Sequence, residues 1–334
     1  MKNNFWQGRR ALVTGYEGFL GSNLTKSLLS LQARVFGLDR ITFRKNTILS
    51  GKDLKNITIV RGNVANYKLL IQLINKHKIE FVFHLAAEAI VNKCLKNPQR
   101  TFSSNIRGTW NILEACRQAQ NIQAIVIASS DKAYGSHKKL PYDEQFPLAG
   151  SHPYDVSKSC ADLLAHTYFH TYGLPVCVTR CGNIYGPGDF NLSRIVPDVI
   201  MSAIENKTLV IRSDGRFTRD YIYVKDVVLG YLNLVQKMND LNLFGEAFNF
   251  SNEKPISVLD LVKTVYKIMG RKPDYKILNQ AKYEIRHQYL RSSKAKKILG
   301  WKPRYDLRQG LKKTIDWYKA YYCNHEDMLK VTID

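Results

Sequence analysis

The sequence lacks the features that mark several classes of protein. No apolar run in its 334 residues approaches the ~20 residues that a membrane-spanning helix needs, and there is no low-complexity tract. Its six cysteines show neither Cys-x-x-Cys nor Cys/His ligand spacing, which favours buried free thiols over disulfides or zinc. The N-terminus runs into a short strand-like segment without a secretory leader pattern. We therefore expect a globular, cytoplasmic protein without a metal site or a membrane partner.

Acidic residues are few compared with basic ones. The chain has 28 Asp and Glu against 50 Lys and Arg, which gives a formal net charge of +22. Such a balance favours an anionic partner. The basic residues are nevertheless spread along the whole chain, without a basic helix or an aromatic RNA-binding motif. We expect a small anionic substrate and no nucleic acid.

Short apolar segments alternate with helical patterns in the first half of the chain. Helical patterns occupy 19–32, 98–119 and 151–172, and the predicted strands lie at 10–15, 33–39, 56–62, 81–87, 122–129 and 175–181. Fully apolar strands that alternate with helices indicate a parallel sheet covered on both faces. The predicted fold is therefore α/β, a doubly wound parallel sheet of the Rossmann type over residues 1–181. From residue 182 the rhythm breaks, and we predict a smaller, partly interleaved substrate lobe over 182–334, with a last helix at 307–322.

The first motif is TGYEGFLG, between a predicted strand and a predicted helix. Gly15, Gly18 and Gly21 would permit a tight turn and let the backbone approach a pyrophosphate at the helix N-terminus. Asp39 closes the second strand, where a carboxylate accepts hydrogen bonds from the adenosine ribose. This pattern predicts a dinucleotide site and favours NAD. The adjacent Arg40 can pair with a 2′-phosphate and leaves NADP open.

The second motif is YDVSK, in a predicted helix. Tyr154 and Lys158 are spaced i to i+4, which places the phenol and the ammonium group on one helix face. A phenol has a pKa near ~10, so a tyrosine that acts as a base near neutral pH needs a cation such as Lys158 beside it. Following a dinucleotide motif, the pair predicts catalysis.

The third motif is SSDKAYG, residues 129–135. The apolar run AIVIA (124–128) stops at Ser129 and Ser130, and Asp131 then lies directly beside Lys132. In a crossover sheet, reactive groups gather at such strand ends, so a catalytic acid and base are one interpretation. A surface ion pair is the alternative.

Together, these motifs resemble the extended short-chain dehydrogenase/reductase superfamily, in particular its nucleotide-sugar epimerases and dehydratases. The resemblance extends over nearly the whole chain, through HLAAEAIV (84–91), SNIRGTWNILEACR (104–117), RCGNIYGPGD (180–189) and RDYIYVKDVV (219–228). Within that group, Ser-Asp-Lys at 130–132 is most similar to CDP-glucose 4,6-dehydratases. dTDP-glucose dehydratases carry Thr-Asp-Glu there, and 4-epimerases lack the pair.

The resemblance implies further binding residues. The implied cofactor contacts, besides the glycines, Asp39, Arg40, Tyr154 and Lys158, are Phe19, Leu20, Asn63, Val64, Leu85, Ala86 and Ala87. The implied contacts with a nucleotide-diphosphate sugar are Glu88, Ser129, Asn183, Arg194, Arg212 and Arg219. For Glu88 a local salt bridge is the alternative, and for Arg194 and Arg212 the alternative is a solvated arginine. The helices at 98–119 and 151–172 resemble those that form a homodimer in this superfamily.

The resemblance also implies a mechanism. Tyr154 would take the proton of the sugar 4-hydroxyl, with Ser130 hydrogen-bonded to the same oxygen. Asp131 would be the acid for the departing 6-hydroxyl and Lys132 the base at C5, giving an NDP-4-keto-6-deoxy sugar. The alternatives are a nucleotide-sugar 4-epimerase, a dehydratase of UDP-, GDP- or dTDP-sugars and, more remotely, a non-catalytic NAD-binding sensor or scaffold.

Overall fold

The computed structural model describes residues 4–41, 46–281 and 285–323. Its strands are β1 (Arg10–Thr14), β2 (Arg34–Asp39), β3 (Ile57–Arg61), β4 (Phe81–His84), β5 (Ala124–Ala128), β6 (Val176–Cys181), β7 (Asn183–Tyr185), β8 (Leu209–Ile211), β9 (Thr218–Arg219), β10 (Tyr221–Tyr223), β11 (Ala247–Phe250), β12 (Ile256–Ser257), β13 (Tyr275–Ile277) and β14 (His287–Gln288). Its helices are α1 (Phe19–Ser30), α2 (Gly51–Lys55), α3 (Tyr67–Lys76), α4 (Val91–Lys96), α5 (Pro98–Phe102), α6 (Gly108–Arg117), α7 (Pro153–Tyr172), α8 (Ile195–Glu205), α9 (Val224–Met238), α10 (Val258–Met269), α11 (Ser293–Leu299) and α12 (Leu307–Cys323).

Seven parallel strands form the main sheet, in the order β11-β6-β5-β4-β1-β2-β3. The chain moves outward from β1 to β3 and then returns to build the other side from β4 to β6. The direction therefore reverses beside β1, where doubly wound sheets bind their ligands. The predicted fold class is confirmed, and each of the six predicted strand segments contains one strand of this sheet.

The sheet is covered on both faces, which explains why its strands are apolar without alternation. Consecutive strand residues enter different cores: Leu12 and Ile125 pack with helices α6 and α7, whereas Val13 and Val126 pack with α1 and α9. A strand buried on both sides needs apolar side chains at every position.

The predicted helix at 98–119 is divided. A π-helical turn, Ser103–Arg107, joins α5 to α6, which ends at Arg117. The turn carries Asn105, a buried residue whose amide donates a hydrogen bond to Ser157 Oγ on α7 at 2.9 Å. The helix interruption thus lies beside the helix that carries Tyr154 and Lys158.

Residues after 182 build a second core and also return to the main sheet. The second core packs α8, α10 and α12 around residues such as Val199, Leu261 and Leu311. β11 instead pairs with β6 in the main sheet, so this part of the chain is interleaved with the first part. The boundary at 181/182 stays a prediction, and residues 324–334 of the predicted lobe lie outside the described residues.

A buried ion pair ties β6 to α7. Arg180 donates from Nε and Nη2 to the two carboxylate oxygens of Asp162 at 2.8 and 2.7 Å. The Arg180 and Asp162 side chains are 7% and 5% exposed. Arg180 Nη1 also donates to the Tyr134 hydroxyl at 2.8 Å. The bidentate geometry and the third hydrogen bond compensate for the removal of these charges from water.

Two expectations from composition can be compared with the structure. All six cysteines are free thiols, as predicted, but only four of them are buried, because Cys160 is half-buried and Cys323 is exposed. Within the described ranges, no helix is both long and apolar enough to cross a membrane.

Candidate active site

A cavity of about 920 Å³ opens at the carboxyl ends of the main-sheet strands. The segments that follow β1, β2, β4, β5 and β6 contribute to its lining, and residues of the chain after position 182 contribute to it as well. This is the position at which doubly wound sheets bind ligands.

The glycine motif forms a tight turn between β1 and α1. Gly15 has a positive φ of 72°, which glycine adopts without steric cost. A Cβ atom on Gly21 would lie 2.0 Å from the Gly15 carbonyl oxygen, so the turn and the helix can approach only without a side chain there. α1 begins at Phe19 with no capping side chain and no acidic residue in its first turn. The positive end of the helix is therefore available to an anion.

Asp39 lies buried at the end of β2 and lines the cavity, and the adjacent Arg40 lines it as well. Arg40 Nη2 donates to Glu88 Oε1 at 2.5 Å, and Arg100 Nε donates to the same oxygen at 3.1 Å. Burial alone would raise the pKa of Glu88, but the two guanidinium groups lower it overall. Glu88 is not part of the cavity lining, and its ion pairs correspond to the salt-bridge alternative.

The other residues predicted to contact the cofactor also differ in whether they line the cavity. Phe19, Leu20, Val64, Leu85, Ala86 and Ala87 line the cavity. Asn63 does not line the cavity, and its side-chain oxygen accepts a hydrogen bond from the Ala65 amide at 2.9 Å.

Tyr154 and Lys158 lie on the first turns of α7 and face the cavity. Lys158 Nζ donates to the Ala128 carbonyl at 2.7 Å and lies 5.9 Å from the centroid of the Tyr154 ring. Burial lowers the pKa of Lys158 to about 8, so the ammonium group still predominates at neutral pH. Burial also raises the pKa of Tyr154, and a hydrogen bond with Ser130 partly offsets this. The geometry thus places a cation beside a phenol that faces the same space.

The serine-rich turn after β5 brings Asp131 and Lys132 into the same cavity. Ser130 Oγ accepts from the Lys132 amide at 3.2 Å and donates to Asp131 Oδ1 at 3.0 Å. Asp131 is 4% exposed. Its burial raises its pKa, although Lys132 and Ser130 act in the opposite direction. The Asp-Lys pair is therefore not a surface ion pair; it lies in the cavity that contains Tyr154.

Sequence reasoning missed two polar residues of this wall, His152 and Asp155. Asp155 is 5% exposed, and burial raises its pKa, whereas the positive charge of Lys132 lowers it. A signal was present, because Asp155 directly follows Tyr154 within the YDVSK motif. The i to i+4 spacing indicates only Tyr154 and Lys158, because a residue between them points to another face of the helix.

The predicted substrate residues Ser129, Asn183, Arg194, Arg212 and Arg219 all line the cavity. Arg219 is 7% exposed, and its Nη1 donates to the Thr218 and Arg286 carbonyls at 2.9 and 3.0 Å. Arg194 instead pairs with buried Asp189 at 3.1 Å. The cavity wall built by the second half of the chain is therefore rich in guanidinium groups, which suit phosphate oxygens.

His166 and His170 lie four residues apart on α7, a spacing at which two imidazoles can bind one metal ion. Their ring centroids are 4.0 Å apart. Over the residues that the structure describes, no group of three His, Cys, Asp or Glu side chains could hold a metal ion.

Comparisons with known proteins agree with this geometry. A family model described as "GDP-mannose 4,6 dehydratase" matches residues 12–314. The CDP-glucose 4,6-dehydratase of Salmonella typhimurium is 33% identical over 344 residues, covering 98% of this chain and 94% of the relative. The UDP-glucuronate 4-epimerase of Thermodesulfobacterium geofontis is 31% identical, and the alignment covers 92% of this chain and 95% of the relative.

A solved structure gives the same result for the fold. The dTDP-glucose 4,6-dehydratase from Bacillus anthracis, in complex with NAD, superposes with a TM-score of 0.84 at 29% sequence identity. The superposition covers 94% of this chain and 97% of the dehydratase chain. The resemblance to nucleotide-sugar dehydratases and epimerases is confirmed. Because the family model matches nearly the whole chain and a 33% identical relative spans it, this protein belongs to the GDP-mannose 4,6 dehydratase family.

Proposed function

We propose that this protein is an NAD-dependent nucleotide-sugar 4,6-dehydratase of the CDP-glucose type, acting in the cytoplasm. It would convert an NDP-hexose to an NDP-4-keto-6-deoxy sugar. The observation that carries the proposal is that Asp131 and Lys132 line the same cavity as Tyr154 and Lys158. Dehydration requires an acid and a base in addition to the group that deprotonates the 4-hydroxyl, and both are present here.

The residues of the cavity fit a dinucleotide. The glycine turn leaves no room for a side chain at Gly21, and a Cβ on Gly15 would lie 3.1 Å from the Ala86 backbone. The turn would thus bring backbone amides close to a pyrophosphate, and the buried Asp39 would accept hydrogen bonds from the ribose. When bound, NAD supplies a hydride acceptor for the first step and a hydride donor for the last.

Tyr154 is the residue that would take the proton of the sugar 4-hydroxyl. Burial raises the pKa of Tyr154, and the Ser130 hydroxyl and the positive charge of Arg194 act in the opposite direction. Lys158 Nζ, 5.9 Å from the ring centroid, would add a positive charge beside the phenolate. Ser130 would hold the same sugar oxygen through its hydroxyl, since its side chain lies within hydrogen-bonding reach of both Tyr154 and Asp131. Tyr154, Lys158 and Ser130 would thus orient C4 and remove the proton of its hydroxyl group.

Asp131 and Lys132 would perform the elimination. The 4-ketone acidifies the proton on C5, which the neutral amine of Lys132 would accept, while the C6–O bond breaks and Asp131 protonates the leaving hydroxyl to release water. Lys132 would give its proton back to C5 as the hydride is returned to C6, which completes the 4-keto-6-deoxy sugar. A general acid must hold a proton, and burial raises the pKa of Asp131, which favours the protonated form. Arg219 and Arg212 would bind the diphosphate.

A 4-epimerase is the second candidate, and the 31% identity to a UDP-glucuronate 4-epimerase favours it. The two functions share Tyr154, Lys158 and the dinucleotide site. They differ in the elimination, for which an epimerase needs neither Asp131 nor Lys132. The identity of the product therefore separates them.

The test is incubation of the purified protein with CDP-, dTDP-, UDP- and GDP-hexoses in the presence of NAD. We expect CDP-glucose to lose one molecule of water by mass spectrometry and to gain a C6 methyl signal by NMR. The Tyr154→Phe variant serves as the inactive control. A product of unchanged mass with inverted C4 would support the epimerase and contradict the dehydratase.

We also propose a homodimer through α5, α6 and α7, the segments predicted for this role. Trp110 on α6 is 54% exposed and Leu163 on α7 is 56% exposed, so each of these two helices presents a large apolar side chain to solvent. α6 and α7 pack against each other on the same side of the main sheet, so both apolar side chains belong to one helical layer.

The dimer is tested by placing a charge in this surface. We expect sedimentation velocity to show a dimer for the wild type and a monomer for Trp110→Asp or Leu163→Asp, because an unpaired charge would be buried at the interface. Leu241→Asp, at a residue that is 47% exposed beyond the end of α9, is the matched control and should leave the dimer intact. A wild-type monomer at micromolar concentration would contradict the proposal.

A further inference from the structure

The contact between Arg40 and Glu88 bears on the choice of cofactor. Arg40 directly follows the buried Asp39 and lines the cavity. Its guanidinium group donates to Glu88 Oε1, the same oxygen that accepts from Arg100. The single carboxylate thus holds two cations, one from the end of β2 and one from α5.

The position of Glu88 is set by the fold rather than by Arg40. The Glu88 amide donates to Asn105 Oδ1 at 2.7 Å, and Asn105 Nδ2 donates back to the Glu88 carbonyl at 3.0 Å. Cys94 Sγ also donates to that carbonyl at 3.4 Å. The Glu88 side chain is 14% exposed, compared with 37% for Arg40. Arg40 is therefore the more exposed partner, and Glu88 is the partner whose backbone is anchored by the fold.

NADP differs from NAD by a phosphate on the adenosine ribose. Sites that accept this phosphate offer an arginine close to the ribose, and sites for NAD offer a carboxylate. Here both residue types stand side by side as Asp39 and Arg40. Glu88 offsets one of the two positive charges of Arg40 and Arg100 and engages the Arg40 guanidinium group in a hydrogen bond, so this cluster attracts a phosphate less than two unpaired guanidinium groups would.

We propose that Glu88 is a specificity-determining residue, which holds Arg40 away from a 2′-phosphate and thereby sets a preference for NAD over NADP. This inference rests on the proposed dinucleotide site. It assigns Glu88 no contact with the cofactor or with the sugar. The effect is exerted through Arg40, and the consequence is a discrimination between two cofactors rather than a change in chemistry.

The test is the dissociation constant of NAD and of NADP, measured by calorimetry for matched variants. In Glu88→Gln the side chain keeps its size but loses its charge, and Arg40 becomes available. We expect NADP to bind about tenfold more tightly, as one charge-assisted contact provides, with NAD within about twofold of wild type. In the double variant Glu88→Gln/Arg40→Gln, the ratio of the NADP and NAD dissociation constants should return to that of the wild type. Glu205→Gln, which removes a carboxylate paired with Lys207 at 2.8 Å, is the control and should change neither constant.

The single variant Arg40→Gln provides an independent arm. Since Glu88 already holds Arg40, the loss of the Arg40 guanidinium group should weaken NADP binding by less than about threefold. A large loss would mean that Arg40 already binds the phosphate, and it would overturn the inference even if Glu88→Gln folds poorly.

Two further outcomes have separate meanings. This inference would be overturned if the ratio of the NADP and NAD dissociation constants were unchanged in Glu88→Gln, or if the raised NADP affinity persisted in the double variant. In either case, NAD binding by the wild type would leave the proposed function standing. A wild-type protein that binds neither dinucleotide would overturn both.

Discussion

Replacement of Lys132 by alanine, or of Asp131 by asparagine, is expected to slow water elimination by about 10²–10⁴ while C4 oxidation survives, since a positioned acid or base contributes about that factor. Both substitutions leave Tyr154, Lys158 and the glycine turn unchanged. The reaction should therefore start normally and stop at the 4-keto stage. NADH absorbance should then accumulate in a single turnover.

Isotope exchange separates the two roles. With Lys132→Ala, deuterium at C5 should be lost more slowly than with Asp131→Asn, because only the first change removes the proposed base. Tyr154→Phe should form no NADH at all, because the 4-hydroxyl then keeps its proton. Lys139→Ala, at an exposed lysine seven positions further along the same loop region, is the matched control and should behave like the wild type. Normal turnover by both the Lys132 and the Asp131 variants would show that no elimination depends on them.

Replacement of Asp162 by alanine is expected to have the largest effect on stability. The side chain of Arg180 would remain buried, 7% exposed, with both hydrogen bonds to the carboxylate lost. Removal of one partner from a buried ion pair costs about 3–5 kcal/mol, because the remaining charge is uncompensated. Urea unfolding should show this as a shift of the midpoint without a large change in slope.

The control is an ion pair of the same kind at the surface. Lys207 and Glu205 are 58% and 21% exposed, so Glu205→Gln should cost less than about 1 kcal/mol. A double replacement of Asp162 and Arg180 by apolar residues of similar volume should recover part of the loss, because no charge is then left unpaired. Equal destabilisation by Asp162→Ala and Glu205→Gln would contradict this account.

Much of the fold and of the cavity could be predicted from the sequence because the signals are local. The glycine turn, the YDVSK helix and the SSDK turn each follow or precede a strand of the same sheet, and parallel strands bring their carboxyl ends to one edge. Residues chosen on that basis, such as Asp39 and Asp131, line the cavity.

The remaining features depend on contacts between distant segments. The two predicted residues that do not line the cavity, Asn63 and Glu88, are each held by hydrogen bonds that no spacing rule indicates. Glu88 meets Arg40 only because β2 and β4 are brought close by the sheet, with β1 between them. The strand β11 has only four residues, AFNF, and a segment this short cannot be distinguished from other apolar segments. The sequence therefore does not indicate that it returns to the main sheet.

The return of β11 to the main sheet has a consequence for any shortened form of the chain. β11 covers one side of β6, whose six residues are all buried. A fragment that ends near residue 181 would leave β6 as an open edge strand rich in apolar side chains, the type of edge that pairs with other chains and aggregates. The second half of the molecule therefore protects the first half from self-association, and gene truncation at the apparent boundary would yield insoluble material rather than an isolated dinucleotide-binding unit.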